Sequence, residues 1–435
     1  DGKNLNLTGG FDDPYATAVS AYRNIFGIAK QTYPELMITE NTWDFTGIDV
    51  ATGLIDAQRS VADTVGLDQT VAKSGIRQWF RNKVTKLVDP DVKNFNLTDK
   101  DIWRAEMTIM GTMFGKTMLG STISRYSEEH IRDLGRIFPM PNDGVSARPI
   151  GLFQLEDLDA NPETYLYPLA DGNNLLLLWN HSPHNKKISV DLGLDTAFGG
   201  AGLDPAKEYY VWDFWDWKYV GKYKGSDELK VNVRRNELKN LAVREVTWQP
   251  QLLSTNRHVL QGQIDAHNIE WNEAIKTMTG EFDVIGGDTY KAVIMLPQSN
   301  WDIKDIQTDA GVTLKAEKDP FTPFVEITID SDSNKTVSWS IEFEETTTVP
   351  DNIAPQPVSN LKATYNNIAD TIELTWNAST DNNGIVRYRV YRSKDKDFEM
   401  TPETLIAEIA ETSYSDNSSD DETIYFYKVV AYDPA

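Results

Sequence analysis

Three acidic stretches stand out by residue type and spacing: Glu40-Asn-Thr-Trp43-Asp44, Arg59-Ser-Val-Ala-Asp63 and Asp89-Pro-Asp91, with a further aspartate, Asp1, at the start of the chain. The chain has no cysteine, which excludes disulfides and thiolate metal sites, and its five histidines are too scattered for a zinc cluster. Catalysis is therefore expected to rest on carboxylates acting as nucleophile, general acid or general base. An arginine four residues ahead of an aspartate, as Arg59 is of Asp63, can orient that carboxyl or tune its charge. An aspartate near an arginine is more ordinarily a surface ion pair. It is the ordered set that points to chemistry.

The charge balance narrows the partner. There are 42 Lys plus Arg against 66 Asp plus Glu, a formal charge of −24 that repels nucleic acid and anionic membrane surfaces. A neutral carbohydrate fits better: 12 Trp and 18 Tyr offer rings for sugar faces, and the many Asp and Asn offer bonds to hydroxyls. No run of about 18 apolar residues occurs, so no membrane insertion is expected. The chain opens on Asp1-Gly2 with neither initiator Met nor signal peptide, which reads as a processed or truncated chain.

The elements that must position these carboxylates come in two rhythms. Residues 1–140 read as mixed α/β. Tyr15, Ala18, Val19, Tyr22, Ile25, Phe26 and Ala29 recur at helical spacing, and Leu36-Met37-Ile38 follows as a short run suited to a buried strand. Thr98 with Asp101 three residues on reads as a helix cap, with Ile102, Met107, Met110, Met113 and Phe114 on the apolar side. This alternation suits the C-terminal part of a (β/α)8 TIM barrel, whose strand ends converge on one face. Residues 141–247 and 248–345 then read as two antiparallel β-sandwiches, with strands at Leu175–Trp179, Ile188–Leu192, Tyr209–Trp217 and Tyr290–Leu296. A stiff linker over 346–356 leads to a last module, 357–435.

That module resembles fibronectin type III, through Pro357-Val-Ser-Asn-Leu361, Ile372-Glu-Leu-Thr-Trp376, Tyr388-Arg-Val-Tyr-Arg392 and Tyr425-Phe-Tyr-Lys-Val-Val-Ala-Tyr432; Trp376 and Tyr427 are its expected core rings. The stretch from Glu40 to Asp91 resembles the clan of glycoside hydrolase families 27 and 36, which holds α-galactosidases and α-N-acetylgalactosaminidases. The resemblance covers roughly residues 1–135. It implies Asp1 as nucleophile at the end of the fourth barrel strand and Asp63, in the Arg59-x-x-x-Asp63 motif, as acid/base. Glu40, Arg59 and Asp91 are implied as sugar contacts, and the first half of the barrel as an upstream segment of the same or a separate chain. The lysine two residues before the nucleophile would precede Asp1, and the Cys-Gly-Gly loop of family 36 is absent around Thr42. Asp1 and Asp63 could supply the two carboxyls, about 5–5.5 Å apart, that retaining hydrolysis needs.

The expected function is thus a retaining exo-α-glycosidase on terminal α-galactosides, without metal or organic cofactor, secreted or displayed at the surface of a bacterium. Trp43 could stack on sugar or cap the barrel, and Asp44 is a further binding candidate. Asp89 is read as orienting Asp91. The bulk of Glu40 and Trp43 favours galactose over the alternative, α-N-acetylgalactosaminidase. A non-catalytic glycan-binding or adhesion protein is the alternative from another class. Trp212, Trp215 and Trp217 invite a sugar platform, but alternation along a strand favours core packing, and His181 with His184 are taken as loop residues.

Overall fold

The structure is a computed structural model that describes residues 15–40, 52–59, 79, 87–90, 92–93, 95–120, 122–141, 145–155, 161–169, 172–346, 353–367, 371–382, 386–401, 404–417 and 423–433. It is mostly β-sheet with few helices. Helix α1 (Ala18–Thr32) starts at a reciprocal cap in which the Thr17 and Ser20 hydroxyls each accept from the other's backbone N–H. Strands β1 (Thr39–Glu40), β2 (Ala57–Arg59) and β3 (Leu87–Asp89) form a parallel three-stranded sheet. A second parallel pair, β4 (Val92–Lys93) and β5 (Met118–Leu119), brackets helix α2 (Lys100–Met113), and helix α3 (Glu128–Gly135) follows.

Two sequence expectations shift here. Leu36–Ile38 is not strand: the ladder begins beyond it, where the Ile38 carbonyl accepts from Ala57 N–H at 3.1 Å, and Leu36 and Met37 are exposed. The cap of α2 is Asp99, not Thr98. The Asp99 carboxylate accepts from the N–H groups of Asp101 and Ile102 at 3.0 and 3.1 Å, and a negative charge suits a helix N-terminus, whereas the Thr98 hydroxyl turns back to Asn96.

The first sandwich has a six-stranded antiparallel sheet in the order 218–224, 208–213, 238–245, 174–179, 164–168, 148–149, faced by a pair formed from 186–191 and 228–233. The apolar run at its centre is explained by burial on both faces. Leu176 and Leu178 pack toward Ile188, Val190 and Leu229, while Leu175, Leu177 and Trp179 join Trp103, Met107 and Met110 of α2. The second sandwich stacks a sheet of 251–255, 290–295, 324–330 and 313–318 on one of 266–272, 277–284, 335–345 and 301–308. It too contributes to both sides: Ala292 and Ile294 face its own core, and Val293 and Met295 belong to the core around α2. Beyond residue 352, two three-stranded antiparallel sheets (359–366, 371–377, 413–416 and 405–409, 387–393, 426–432) enclose Leu374, Trp376, Tyr388 and Val390, with Tyr427 packed at the margin.

Candidate active site

Residues far apart in sequence meet at one end of the parallel sheet. Register pairs Glu40 with Gln58 and Arg59 with Asp89, and all three strands run the same way. Glu40, Arg59 and Asp89 are therefore the last residues of β1, β2 and β3, at the shared C-terminal end where parallel α/β sheets carry their sites. The turn into this sheet is pinned by Asp56, whose Oδ2 accepts from Ile38 N–H at 2.9 Å and from Lys30 Nζ at 2.6 Å, tying α1 to the entry of β1 and β2.

For Glu40 and Arg59 the backbone alone is described. Asp1, Trp43, Asp44, Asp63 and Asp91 lie outside the described residues. By chain position Asp63 comes four residues after the end of β2, and Asp91 two after the end of β3. Asp89 is buried, with 4% exposure, and its Oδ2 accepts from Lys116 Nζ at 2.6 Å. Lys116 is a cation that sequence reasoning missed: it sits in Phe114-Gly115-Lys116 between α2 and β5, where no local pattern distinguishes it from a surface lysine. A carboxylate held by a lysine at this sheet end is a charge-assisted pair of the kind that can orient a polyhydroxylated ligand.

The tryptophan hexapeptide is divided rather than extended. Strand pairing ends at Asp213, residues 214–217 turn, and pairing resumes at Lys218, so strand alternation applies to Trp212 alone. Trp212 is buried at 1% exposure, edge-on to Trp217 and Phe324. Trp215 Nε1 donates to Thr108 Oγ1 of α2 at 2.8 Å under the Arg104 guanidinium, and Trp217 Nε1 donates to Glu326. Beneath the turn, Lys239 is buried against Asp213 at 2.8 Å and Glu237 at 2.9 Å, and it also bonds Asp216. Burial opposes its charge, yet the three carboxylates hold its pKa above the ordinary value. Arg234 extends this network to Asp101 in the first turn of α2, donating to both carboxylate oxygens at 2.8 and 3.0 Å. These rings and charges fasten the helical region to the sandwich. His181 lies in a loop, with its ring against Trp179 and Nε2 at 3.1 Å from the Pro162 carbonyl; burial lowers its pKa.

No protein-family model matches the chain. Over 85 residues it is 39% identical to an alpha-amylase of Niallia circulans, a stretch that makes up 20% of this chain and 6% of that relative's length. Solved structures similar to it are α-galactosidases and related enzymes. α-Galactosidase I from Mortierella vinacea aligns over 52% of this chain and 62% of its own, at 13% identity and TM-score 0.41. A GH27 β-L-arabinopyranosidase from Geobacillus stearothermophilus aligns over 54% and 56%, at 13% identity and TM-score 0.42. The isomalto-dextranase of Arthrobacter globiformis aligns over 79% and 66%, at 14% identity and TM-score 0.38.

Proposed function

We propose that this chain carries the second half of the active site of a retaining exo-α-glycosidase that removes terminal α-galactosyl units through a covalent glycosyl-enzyme intermediate. The observation that carries the reading is the parallel register that brings Glu40, Arg59 and Asp89 to one sheet end, the end from which Asp63 and Asp91 follow in sequence. In this reading Asp1 attacks the anomeric carbon, Asp63 protonates the departing oxygen and then activates water, and Glu40, Trp43, Asp44, Arg59 and Asp91 hold the sugar. An upstream segment completes a (β/α)8 barrel, the terminal unit is a fibronectin type III module that spaces the enzyme, and the protein works outside a bacterial cell.

The two carboxylates are separable by kinetics on the protein with its barrel complete. Asp63→Ala should slow hydrolysis of α-galactosides with poor leaving groups by about 10²–10⁴-fold while sparing activated aryl glycosides, because only the former need the proton. Asp1→Ala should abolish both, with partial rescue by azide. Inverted product configuration, or full activity of Asp63→Ala on unactivated substrates, would refute the assignment.

A further inference from the structure

The loop between the two sandwiches carries Trp248, which has 67% of its surface exposed and a left-handed backbone, φ 57°. That conformation is uncommon for a bulky residue, and an exposed indole loses the burial that ordinarily stabilises it. Beside it, lined by the flanking Thr247, Gln249 and Pro250, opens a cleft of about 360 Å³ none of whose lining residues belongs to 1–140. Arg244 lines it at 5% exposure. Its Nε donates to the Leu253 carbonyl at 3.1 Å and its Nη2 to the Gln261 carbonyl at 2.9 Å, while Nη1 has no hydrogen-bond partner among the described residues. Among the described residues no carboxylate pairs with it, and burial pushes its pKa down to about 10. Nη1 is closed off from solvent, so the guanidinium braces the floor of the cleft through its two carbonyl bonds and is not itself a ligand contact.

The rest of the lining says what the cleft can take. Gln249 and Gln263 bring amides, Glu270 a carboxylate, and Trp271 an indole fixed by its Nε1 bond to Glu273 at 2.8 Å. Donors and acceptors are mixed; Glu245 is already paired with Lys207, and the Glu270 carboxylate disfavours an anion. Sugar hydroxyls both donate and accept, and the ring's C–H faces stack on indoles. We infer that this cleft and Trp248 form a second, non-catalytic binding site for a neutral polysaccharide, with one hexose in the cleft against Trp271, Gln263 and Glu270 and the next stacked on Trp248.

Affinity electrophoresis of the full chain through gels containing galactomannan, dextran, soluble starch or arabinoxylan tests this without reference to hydrolysis. At least one should retard the protein. Trp248→Ala, whose side chain lies at the surface and leaves folding intact, and Gln263→Ala should each weaken that retardation, the former by about tenfold or more. Failure of all four polysaccharides to retard the chain, or equal retardation of both variants and the parent, overturns the site. So does retardation by anionic polygalacturonate in place of the neutral polymers.

Discussion

Between residues 87–141 and the two sandwiches that follow, side chains from α2, the six-stranded sheet and the second sandwich close over one continuous core. The unit beyond residue 352 meets the second sandwich differently, through Arg387 paired with Asp319 at 2.6 Å and stacked over Phe321, and Phe321 edge-on to Tyr432. The first junction hides rings and aliphatic chains from water and satisfies buried charge; the second joins partly exposed groups. Extensive apolar burial makes the former part of one cooperative unit, and its absence leaves the latter an attached body. Through Val88, the strand that ends at Asp89 belongs to the cooperative side.

That contrast can be broken in three places. Trp212→Ala opens a cavity where α2, the first sandwich and Phe324 of the second meet, and should cost about 3–5 kcal/mol in urea denaturation. The α2 segment and both sandwiches should become protease-sensitive together. Sensitivity confined to one sandwich would separate them.

Acid should attack the same junction through His258. Its Nδ1 accepts from Leu260 N–H at 3.1 Å, which leaves the ring proton on Nε2, 3.2 Å from the Pro139 carbonyl. Burial pushes its pKa down to about 4. The unfolded chain, with an ordinary value near 6.5, then binds the proton that the folded chain refuses. Stability contributed at neutral pH is lost as pH falls from about 6.5 to about 4, by roughly 3 kcal/mol in total. His258→Gln should flatten that part of the stability profile, measured by urea titration at each pH. An unchanged slope would remove His258 from the role.

The smallest effect is expected at the outer junction. Arg387→Ala removes a partly exposed pair and should cost about 1 kcal/mol or less. In calorimetry the main transition should stay in place. A shift comparable with that of Trp212→Ala would show the terminal unit to be integral.

The sequence was legible where period and burial agree. The helical spacing from Ala18 to Ala29 is α1, and the run Leu175–Trp179 lies in a strand because both of its faces are buried. It misled where a side-chain bond outweighed pattern: Asp99 displaced Thr98 as cap, and Asp213 broke the expected strand by accepting from the Trp215 N–H at 3.1 Å to start the turn. For the site, strand ends converging on one face were an expectation of the barrel reading, whereas Lys116 and Arg244 were invisible. Each becomes meaningful only through what the fold sets against it: a buried Asp89 for the first, and for the second the lack of a paired carboxylate among the described residues.

The core shared by α2 and the strand 238–245 also carries a cost in time. On the ribosome Trp103, Met107 and Met110 are made more than a hundred residues before Leu238 and Ala242, which share that core. At about 5–20 residues per second, the apolar side of α2 waits on the order of ten seconds for its cover. A nascent chain of this kind offers a chaperone a defined hydrophobic helix to hold, and a rare-codon pause between residues 113 and 238 would lengthen the interval in which it can stick to a neighbour instead.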